Sequence, residues 1–87
     1  MVKRNVAILN ETGIHARPAN LLVKESKKYA SKIHLEKNGK TYDASSIMSI
    51  LTMGAKNGDE ITIVAEGSDE ELAVDAIHTM FATNFGE

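Results

Sequence analysis

The segment Gly13–Asn20 places a histidine and an arginine two residues apart and follows them with the only proline of the chain. Pro18 indicates where a helix begins, because first-turn amides have no partner within the helix and a missing N–H costs little there. The sequence therefore predicts that His15 lies immediately before a helix, with Ala16, Arg17 and Pro18 in its first turn. The amides of such a helix end bind anions, phosphate above all.

His15 and Arg17 are the residues of this segment that could act on a phosphate. The helix dipole, worth about 0.3–1 kcal/mol per exposed charge, favours a neutral imidazole at this end. A neutral ring nitrogen can attack phosphorus, and the guanidinium can donate paired hydrogen bonds to phosphoryl oxygens. No neighbour in the sequence is an evident base for activating water, so the pattern favours storage of a phosphoryl group. Gly13 is expected to leave the loop free to aim the ring. The alternative is an ordinary helix-start histidine beside a surface arginine.

A second segment, Ser45–Met53, begins with serines and continues with apolar residues. Serine is a common N-cap, which is the simpler interpretation of Ser46. Alternatively, Ser46 is a phosphorylation site, because a helix N-terminus tolerates a phosphate that still changes the charge of a docking surface. A helix this short cannot bury all of its apolar residues. Part of the following set is therefore predicted to form an exposed patch for partners: Ile47, Met48, Leu51 and Met53.

The three histidines, His15, His34 and His78, give a weaker metal-binding interpretation. Their spacing is not that of a ligand set, since His34 is predicted on the polar face of a strand and His78 on the last helix. The chain has no cysteine, so neither disulfides nor thiolate metal sites are expected, which suits a reducing cytoplasm. We therefore expect neither a metal nor a cofactor.

Charge is divided unevenly along the chain. Residues 1–42 carry nine Lys or Arg and three Glu, whereas residues 43–87 carry one Lys and nine Asp or Glu. The basic half contains the His15 segment, so a basic face that docks acidic partner surfaces is predicted. Nucleic acid is not expected as a partner, because the net charge is −2 and only 5% of residues are aromatic. No apolar run approaches the ~20 residues that span a bilayer, so membrane insertion is not expected.

Seven elements are predicted from apolar spacing and turn residues. Strands are indicated over Val2–Leu9, Lys32–Lys37, Lys40–Asp43 and Glu60–Glu66, and helices over Ala16–Ala30, Ser46–Gly54 and a stretch that begins with a capping box at Ser68–Glu71. Asn38-Gly39 predicts a two-residue hairpin turn. The final helix is expected to bury Leu72, Ala73, Ala76, Ile77 and Met80.

The element order β-α-β-β-α-β-α predicts the fold class. Each strand offers one strongly apolar face, so two long amphipathic helices must cover one face of a single sheet. The sequence therefore predicts an α+β fold, an open-faced two-layer sandwich. The 87 residues suffice for one domain, which we assign to residues 1–87.

Several stretches of the chain resemble one family. "GIHARPAN" resembles the active-site segment, and "SSIMSIL" the regulatory-serine segment, of HPr, the histidine-containing phosphocarrier of the bacterial phosphoenolpyruvate-dependent sugar phosphotransferase system. "KNGKTYDA" and "GDEITIVAEGSDEE" resemble the family's middle and C-terminal stretches, so the resemblance covers essentially the whole chain. It implies a four-stranded antiparallel sheet with the helices packed on one face.

The resemblance also implies a function. His15 would accept a phosphoryl group on Nδ1 from enzyme I and deliver it to the enzyme IIA domains of sugar permeases, and Arg17 would stabilise that group. Ser46 would be phosphorylated by an HPr kinase/phosphorylase, and the chain would then bind a catabolite-control transcription regulator. Partner docking is expected through Asn20, Lys24, Lys27, Ile47, Met48 and Leu51. The chain departs from the usual family pattern at Asn20, Ser45 and Ser49.

The interpretation that these residues favour is a carrier that relays a phosphoryl group rather than an enzyme that turns over, and we expect a cytoplasmic monomer. One alternative is a regulatory adaptor that uses Ser46 and the apolar patch while His15 is idle. Another is a phosphocarrier of a parallel branch that regulates nitrogen metabolism, although the Ser46 segment favours the carbon branch. A structural or metal-binding domain is the third alternative.

Overall fold

A computed structural model describes residues 1–86, and the predicted domain boundary at Glu87 lies outside the described residues. The elements are β1 (Val2–Ala7), α1 (Ala16–Ser26), β2 (Lys32–Lys37), β3 (Lys40–Asp43), α2 (Ile47–Met53), β4 (Glu60–Glu66) and α3 (Glu70–Ala82), followed by a 3₁₀ turn at Asn84–Gly86. The predicted element order is confirmed, and β2, β3 and β4 have their predicted bounds. Within residues 1–86, no helix is long and apolar enough to cross a membrane.

The four strands form one sheet in the order β1-β4-β2-β3, and all neighbouring pairs are antiparallel. Asn38 and Gly39 both have positive φ, as the predicted two-residue hairpin between β2 and β3 requires. β1 ends at Ala7 rather than at Leu9, because the partner strand β4 begins at Glu60, opposite Ala7. The predicted open-faced α+β sandwich with a four-stranded antiparallel sheet is confirmed.

Helices and sheet share one apolar core on the covered face of the sheet. Helix α3 packs on β1 and β4, and α1 packs on α2 and α3. The largest core side chains come from both layers: Leu22, Leu35, Ile50, Ile61, Ile63, Ile77 and Phe81. Helices α1 and α2 are therefore held side by side, and their outer faces form one surface of the molecule.

The buried stripe of α3 differs from the predicted one. Of the predicted positions, Ala73 and Ile77 are buried, Ala76 and Met80 are half-buried, and Leu72 is 68% exposed. Val74 and Phe81 take core positions instead. Apolar residues lie on more than one side of this helix, so their spacing allows two orientations, and packing on the sheet selects one.

Asp69 connects the start of α3 to the turn that follows α1, and this explains two further differences. Asp69, not Ser68, is the N-cap of α3, so the predicted capping box is wrong. Its carboxylate accepts hydrogen bonds from the Ala30 N–H and the Ser31 N–H, both at 2.9 Å, and from the Ser31 hydroxyl. Helix α1 ends at Ser26 rather than at Ala30, because the Lys28 and Tyr29 N–H groups bond to carbonyls three residues back, and the Ala30 N–H bonds to Asp69 instead of to the helix.

Loss of the Asp69 carboxylate is expected to destabilise the fold at neutral pH. The Ser31 hydroxyl and then the Ala30 amide hold the pKa of Asp69 below its ordinary value. A depressed folded-state pKa stabilises the protein above the unfolded value of about 4, and the contribution is lost as pH falls through the folded value. We expect Asp69→Asn to lower the urea midpoint at pH 7, with the deficit shrinking as the pH falls below about 4.

Urea unfolding at a series of pH values checks this expectation. Glu71→Gln is the matched control, because Glu71 is an exposed acid in the first turn of the same helix. A deficit in Asp69→Asn that stays constant from pH 7 to pH 2 would contradict the assignment of the stabilisation to the charged carboxylate.

Candidate functional site

His15 occupies the N-cap of α1, as the sequence predicts. Its backbone is extended, with φ −116° and ψ −164°, and its carbonyl accepts a hydrogen bond from the Ala19 N–H at 2.9 Å. The residue is exposed, and its side chain makes no capping hydrogen bond to the helix. The imidazole is therefore accessible to a partner beside the positive end of α1.

The first turn of α1 supplies the groups next to His15. Ala16 and Arg17 are exposed at the first two helical positions, and Pro18 is buried at the third. Pro18 has no N–H, so its place in the first turn sacrifices no helical hydrogen bond. This turn contains no acidic residue, so no carboxylate within it competes with an anion. The structure brings the four residues predicted for this site, His15 to Pro18, to one helix end.

A loop contact that the sequence does not signal fixes the backbone leading into His15. The Ile14 N–H donates to the Ala55 carbonyl at 3.0 Å, and the Gly13 N–H donates to the Asn10 carbonyl at 3.0 Å. Gly13 has φ 71°, and a Cβ on it would lie 2.5 Å from the Ala55 oxygen. Gly13 thus permits a close contact between loops, and the expectation that it frees the loop to aim the ring is wrong.

The outer face of α1 carries the predicted polar docking residues. Asn20, Lys24 and Lys27 are all exposed, and their spacing of four and three residues places them along one side of the helix. Lys27 is the C-cap rather than an interior residue, because α1 ends at Ser26. These three residues form what we call the α1 stripe, which carries two positive charges.

Helix α2 exposes apolar residues on the same side of the sheet. Met48 is 72% exposed, and Ile47 and Leu51 are each 38% exposed. Met53 is only 4% exposed and belongs to the core with Ile50, because these two residues, three apart, lie on the inner side of the helix. The prediction that part of this set is exposed is confirmed, and the exposed part is Ile47, Met48 and Leu51, which we call the α2 patch.

The serines around the start of α2 have different hydrogen-bond partners. Ser46 is the N-cap, and its Oγ accepts from the Ser49 N–H at 3.3 Å. The Ser45 hydroxyl donates to the Asp43 carboxylate at 2.7 Å, and this bond is the main reason that the pKa of Asp43 lies below its ordinary value. The Ser49 Oγ accepts from the Asp43 N–H at 2.9 Å. Asp43 therefore orders the segment that carries Ser46.

The other histidines lie on different elements from His15. The His34 Nε2 is 3.6 Å from the Glu36 Oε2 on β2, and His78 is half-buried on α3. In the described part of the chain, no group of three or more His, Asp or Glu side chains is arranged to hold a metal ion.

The structure thus combines an open-faced four-stranded sandwich with an exposed histidine at the N-terminus of its first helix, which is the arrangement that the sequence predicts for a phosphocarrier. The chain belongs to the HPr family of the phosphotransferase system, since residues 2–83 match the family model described as the PTS HPr component phosphorylation site. It is a phosphocarrier protein of that system.

Solved structures support this membership. The chain is 41% identical to HPr-C-His from Thermoanaerobacter tengcongensis, with a TM-score of 0.96 over 100% of this chain and 98% of that one. It is 40% identical to the phosphocarrier protein HPr of Bacillus anthracis strain Ames, with a TM-score of 0.87 over 92% and 95% of the two chains. Crh, the catabolite repression protein of Bacillus subtilis, is 36% identical, with a TM-score of 0.78 over 97% of both chains, and it forms an intertwined, domain-swapped dimer.

Proposed function

We propose that His15 accepts a phosphoryl group from phosphorylated enzyme I and passes it to the enzyme IIA domains of sugar permeases. The observation that carries this proposal is the exposure of His15 at the N-cap of α1, with Arg17 in a first turn that lacks acids. The Nδ1 lone pair attacks phosphorus, and the bond between phosphorus and its donor atom on enzyme I breaks as the new bond to nitrogen forms. First-turn amides and the Arg17 guanidinium stabilise the phosphoryl oxygens. Transfer to enzyme IIA follows the same course, with the His15 nitrogen as leaving group.

Partners dock on the surface formed by the α1 stripe and the α2 patch. Helices α1 and α2 pack against each other, so the basic stripe and the apolar patch lie on neighbouring helices. An apolar centre with a polar and charged rim is typical of protein interfaces. The same surface serves enzyme I and the enzyme IIA domains in turn, and the unbranched Met48 side chain adapts to both.

Ser46 is the proposed regulatory site, modified by an HPr kinase/phosphorylase. A phosphate on the N-cap of α2 adds up to about two negative charges next to the α2 patch, and the positive end of the helix tolerates it. The modified chain then binds a catabolite-control transcription regulator. Incubation with the kinase and ATP should give an acid-stable phosphoryl adduct that Ser46→Ala abolishes and Ser45→Ala retains.

We further propose that residues 1–87 form a single domain that works as a monomer in the cytoplasm. It needs no metal or cofactor and does not bind nucleic acid. The dimer of the similar protein Crh makes oligomeric state a quantity to measure. Light scattering on the eluting protein should return the mass of one chain, and twice that mass would reject the monomer.

A regulatory adaptor is the second candidate function. Two observations favour it: Ser46 is the N-cap beside the exposed α2 patch, and the chain is similar to Crh along its length. In this function His15 would carry no phosphoryl group. A nitrogen-related phosphocarrier would keep His15 active but would capture different partners in a pull-down.

Incubation with phosphoenolpyruvate and enzyme I, followed by intact-mass measurement, separates these functions. We expect an adduct of one phosphoryl group that mild acid removes and that His15→Ala abolishes. An unmodified chain in the presence of active enzyme I would reject the carrier function and favour the adaptor.

Arg17→Ala is expected to slow phosphoryl transfer from enzyme I about tenfold to hundredfold. Charge-assisted hydrogen bonds contribute about 1.5–3 kcal/mol, and tenfold corresponds to about 1.4 kcal/mol. Arg17→Lys should be intermediate, because it keeps the charge and loses the paired geometry. Quenched-flow measurement of the transfer rate tests this, with the urea midpoint as the folding control. An unchanged rate in Arg17→Ala would contradict the proposed role.

A further inference from the structure

We propose that Asp59 is a positioning residue for His15 and acts through the peptide unit that joins Ala55 to Lys56. The inference concerns two segments, the His15 loop (residues 8–15) and the Asp59 turn (residues 55–59). It rests on the proposed function in that phosphoryl transfer at His15 is one of its readouts.

One peptide unit connects the Asp59 side chain to the His15 loop. The Asp59 Oδ2 accepts from the Lys56 N–H at 2.9 Å, and the Asp59 N–H donates to the Lys56 carbonyl at 3.0 Å. The Lys56 N–H and the Ala55 carbonyl belong to the same planar peptide. That carbonyl accepts the Ile14 N–H at 3.0 Å, one residue before His15. The carboxylate therefore holds one end of the peptide whose other end holds the loop.

Charge strengthens this connection. A carboxylate polarises the amide from which it accepts, and polarised hydrogen bonds in a chain strengthen one another. The Lys56 amide is the main cause that holds the pKa of Asp59 below its ordinary value, and the Lys37 ammonium adds to it. The Lys37 Nζ lies 3.6 Å from the Asp59 Oδ2 and 3.5 Å from the carbonyl of Met53, the last residue of α2. Lys37 thus restrains the orientation of the Asp59 carboxylate relative to the turn.

The Asp59 turn also holds the other end of the His15 loop. The Ile8 N–H donates to the Asp59 carbonyl at 2.8 Å, and the Gly58 N–H donates to the Ile8 carbonyl at 2.9 Å. The Asn57 side-chain amide donates to the Leu9 carbonyl at 3.2 Å. Both ends of the loop therefore rest on one turn, and the orientation of that turn sets the position of the N-cap residue.

Loss of the Asp59 carboxylate would let the Ala55–Lys56 peptide rotate and shift the loop. Because displacement of a reacting group by about an ångström can cost about a hundredfold in rate, we expect Asp59→Ala to slow phosphoryl transfer to His15 about tenfold. The amide oxygen of Asp59→Asn can still accept from the Lys56 N–H, so this variant should stay within about threefold of the original rate.

Rate, amide spectra and stability are to be measured together on matched variants. Glu60→Gln removes an exposed charge next to the turn and leaves the peptide contact intact. Asp69→Asn removes the charge of another carboxylate that accepts hydrogen bonds from backbone amides, at the turn that follows the far end of α1. We expect Asp59→Ala to slow transfer and to move the amide signals of Gly13, Ile14 and His15, whereas Asp69→Asn lowers the urea midpoint without either change.

Two outcomes would overturn the inference. In the first, the amide signals of Ile14 and His15 do not move in Asp59→Ala and its transfer rate stays within about twofold of the original. In the second, Asp59→Asn transfers as slowly as Asp59→Ala. Should Asp59→Ala fail to fold, Lys37→Met removes the ion-pair partner of Asp59 together with the Lys37 contact to the Met53 carbonyl. It should slow transfer about threefold, with Lys40→Met on the same hairpin as its control. Failure of the proposed function would give a different result, because the original chain would then accept no phosphoryl group. The amide shifts in Asp59→Ala would still decide whether Asp59 positions His15.

Discussion

Replacing Gly13 with alanine is expected to lower both the stability of the protein and the rate at which His15 is phosphorylated. At φ 71° a residue with a Cβ costs roughly 1–2 kcal/mol more than glycine. The new Cβ would also lie 2.5 Å from the Ala55 oxygen and 3.1 Å from the Lys56 Cα, and both of these atoms belong to the backbone. The loops can separate only by breaking the hydrogen bond between Ile14 and Ala55.

We therefore expect the free energy of unfolding to fall by about 2–4 kcal/mol, as the sum of backbone strain and one lost buried hydrogen bond. Transfer should slow about tenfold, because the residue after Ile14 is the proposed acceptor, His15. Urea unfolding and quenched-flow transfer measure the two effects separately. Loss of stability without loss of rate would mean that the loop contact does not set the position of His15.

Gly39→Ala is the control for the backbone strain alone. Gly39 has φ 79°, and no atom lies within 4 Å of the position of its Cβ. This variant should lose roughly 1–2 kcal/mol and keep the original transfer rate, because the added Cβ would contact none of the described residues. Equal stability losses at Gly13 and Gly39 would contradict the steric contact with Ala55.

The candidate site could be predicted to the extent that it is encoded by neighbouring residues. The start of α1 depends on Pro18 and on the helical spacing that follows it, and both lie within a few residues of His15. Ser46 as the N-cap of α2 and the hairpin at Asn38-Gly39 are likewise local, and both are confirmed. These features require no knowledge of how distant segments pack.

The features that sequence reasoning missed depend on contacts between distant segments. Gly13 taken alone suggests a loop with conformational freedom, but in the fold its Cα packs closely against the Ala55 carbonyl. Helical spacing continues beyond Ser26, but the Ala30 and Ser31 amides donate hydrogen bonds to the distant Asp69 carboxylate. Leu72 fits an apolar stripe of α3, but that side of the helix does not pack on the sheet, and Leu72 is exposed. A signal was present only at Gly13, because glycine before a helix start is consistent with either freedom or close approach.

Met48→Asp is expected to weaken binding to enzyme I about thirtyfold to hundredfold while leaving the fold intact. Met48 is 72% exposed and flanked by the other residues of the α2 patch, so its side chain makes little contribution to the core. On docking, an apolar contact would be replaced by a charge that must lose water, and the few hot-spot residues near the centre of an interface each contribute about 2 kcal/mol or more. Titration calorimetry with enzyme I and with an enzyme IIA domain measures both affinities.

Leu72→Asp distinguishes loss of docking from a general effect of added charge. Leu72 is 68% exposed on α3, outside the α2 patch, so the substitution adds the same charge to a similarly exposed apolar residue. We expect Leu72→Asp to bind both partners with affinity within about twofold of the original, because a charge at a screened distance changes association only modestly. If both variants weaken binding equally, long-range charge and not the α2 patch controls docking. If neither does, the interface lies elsewhere on the surface.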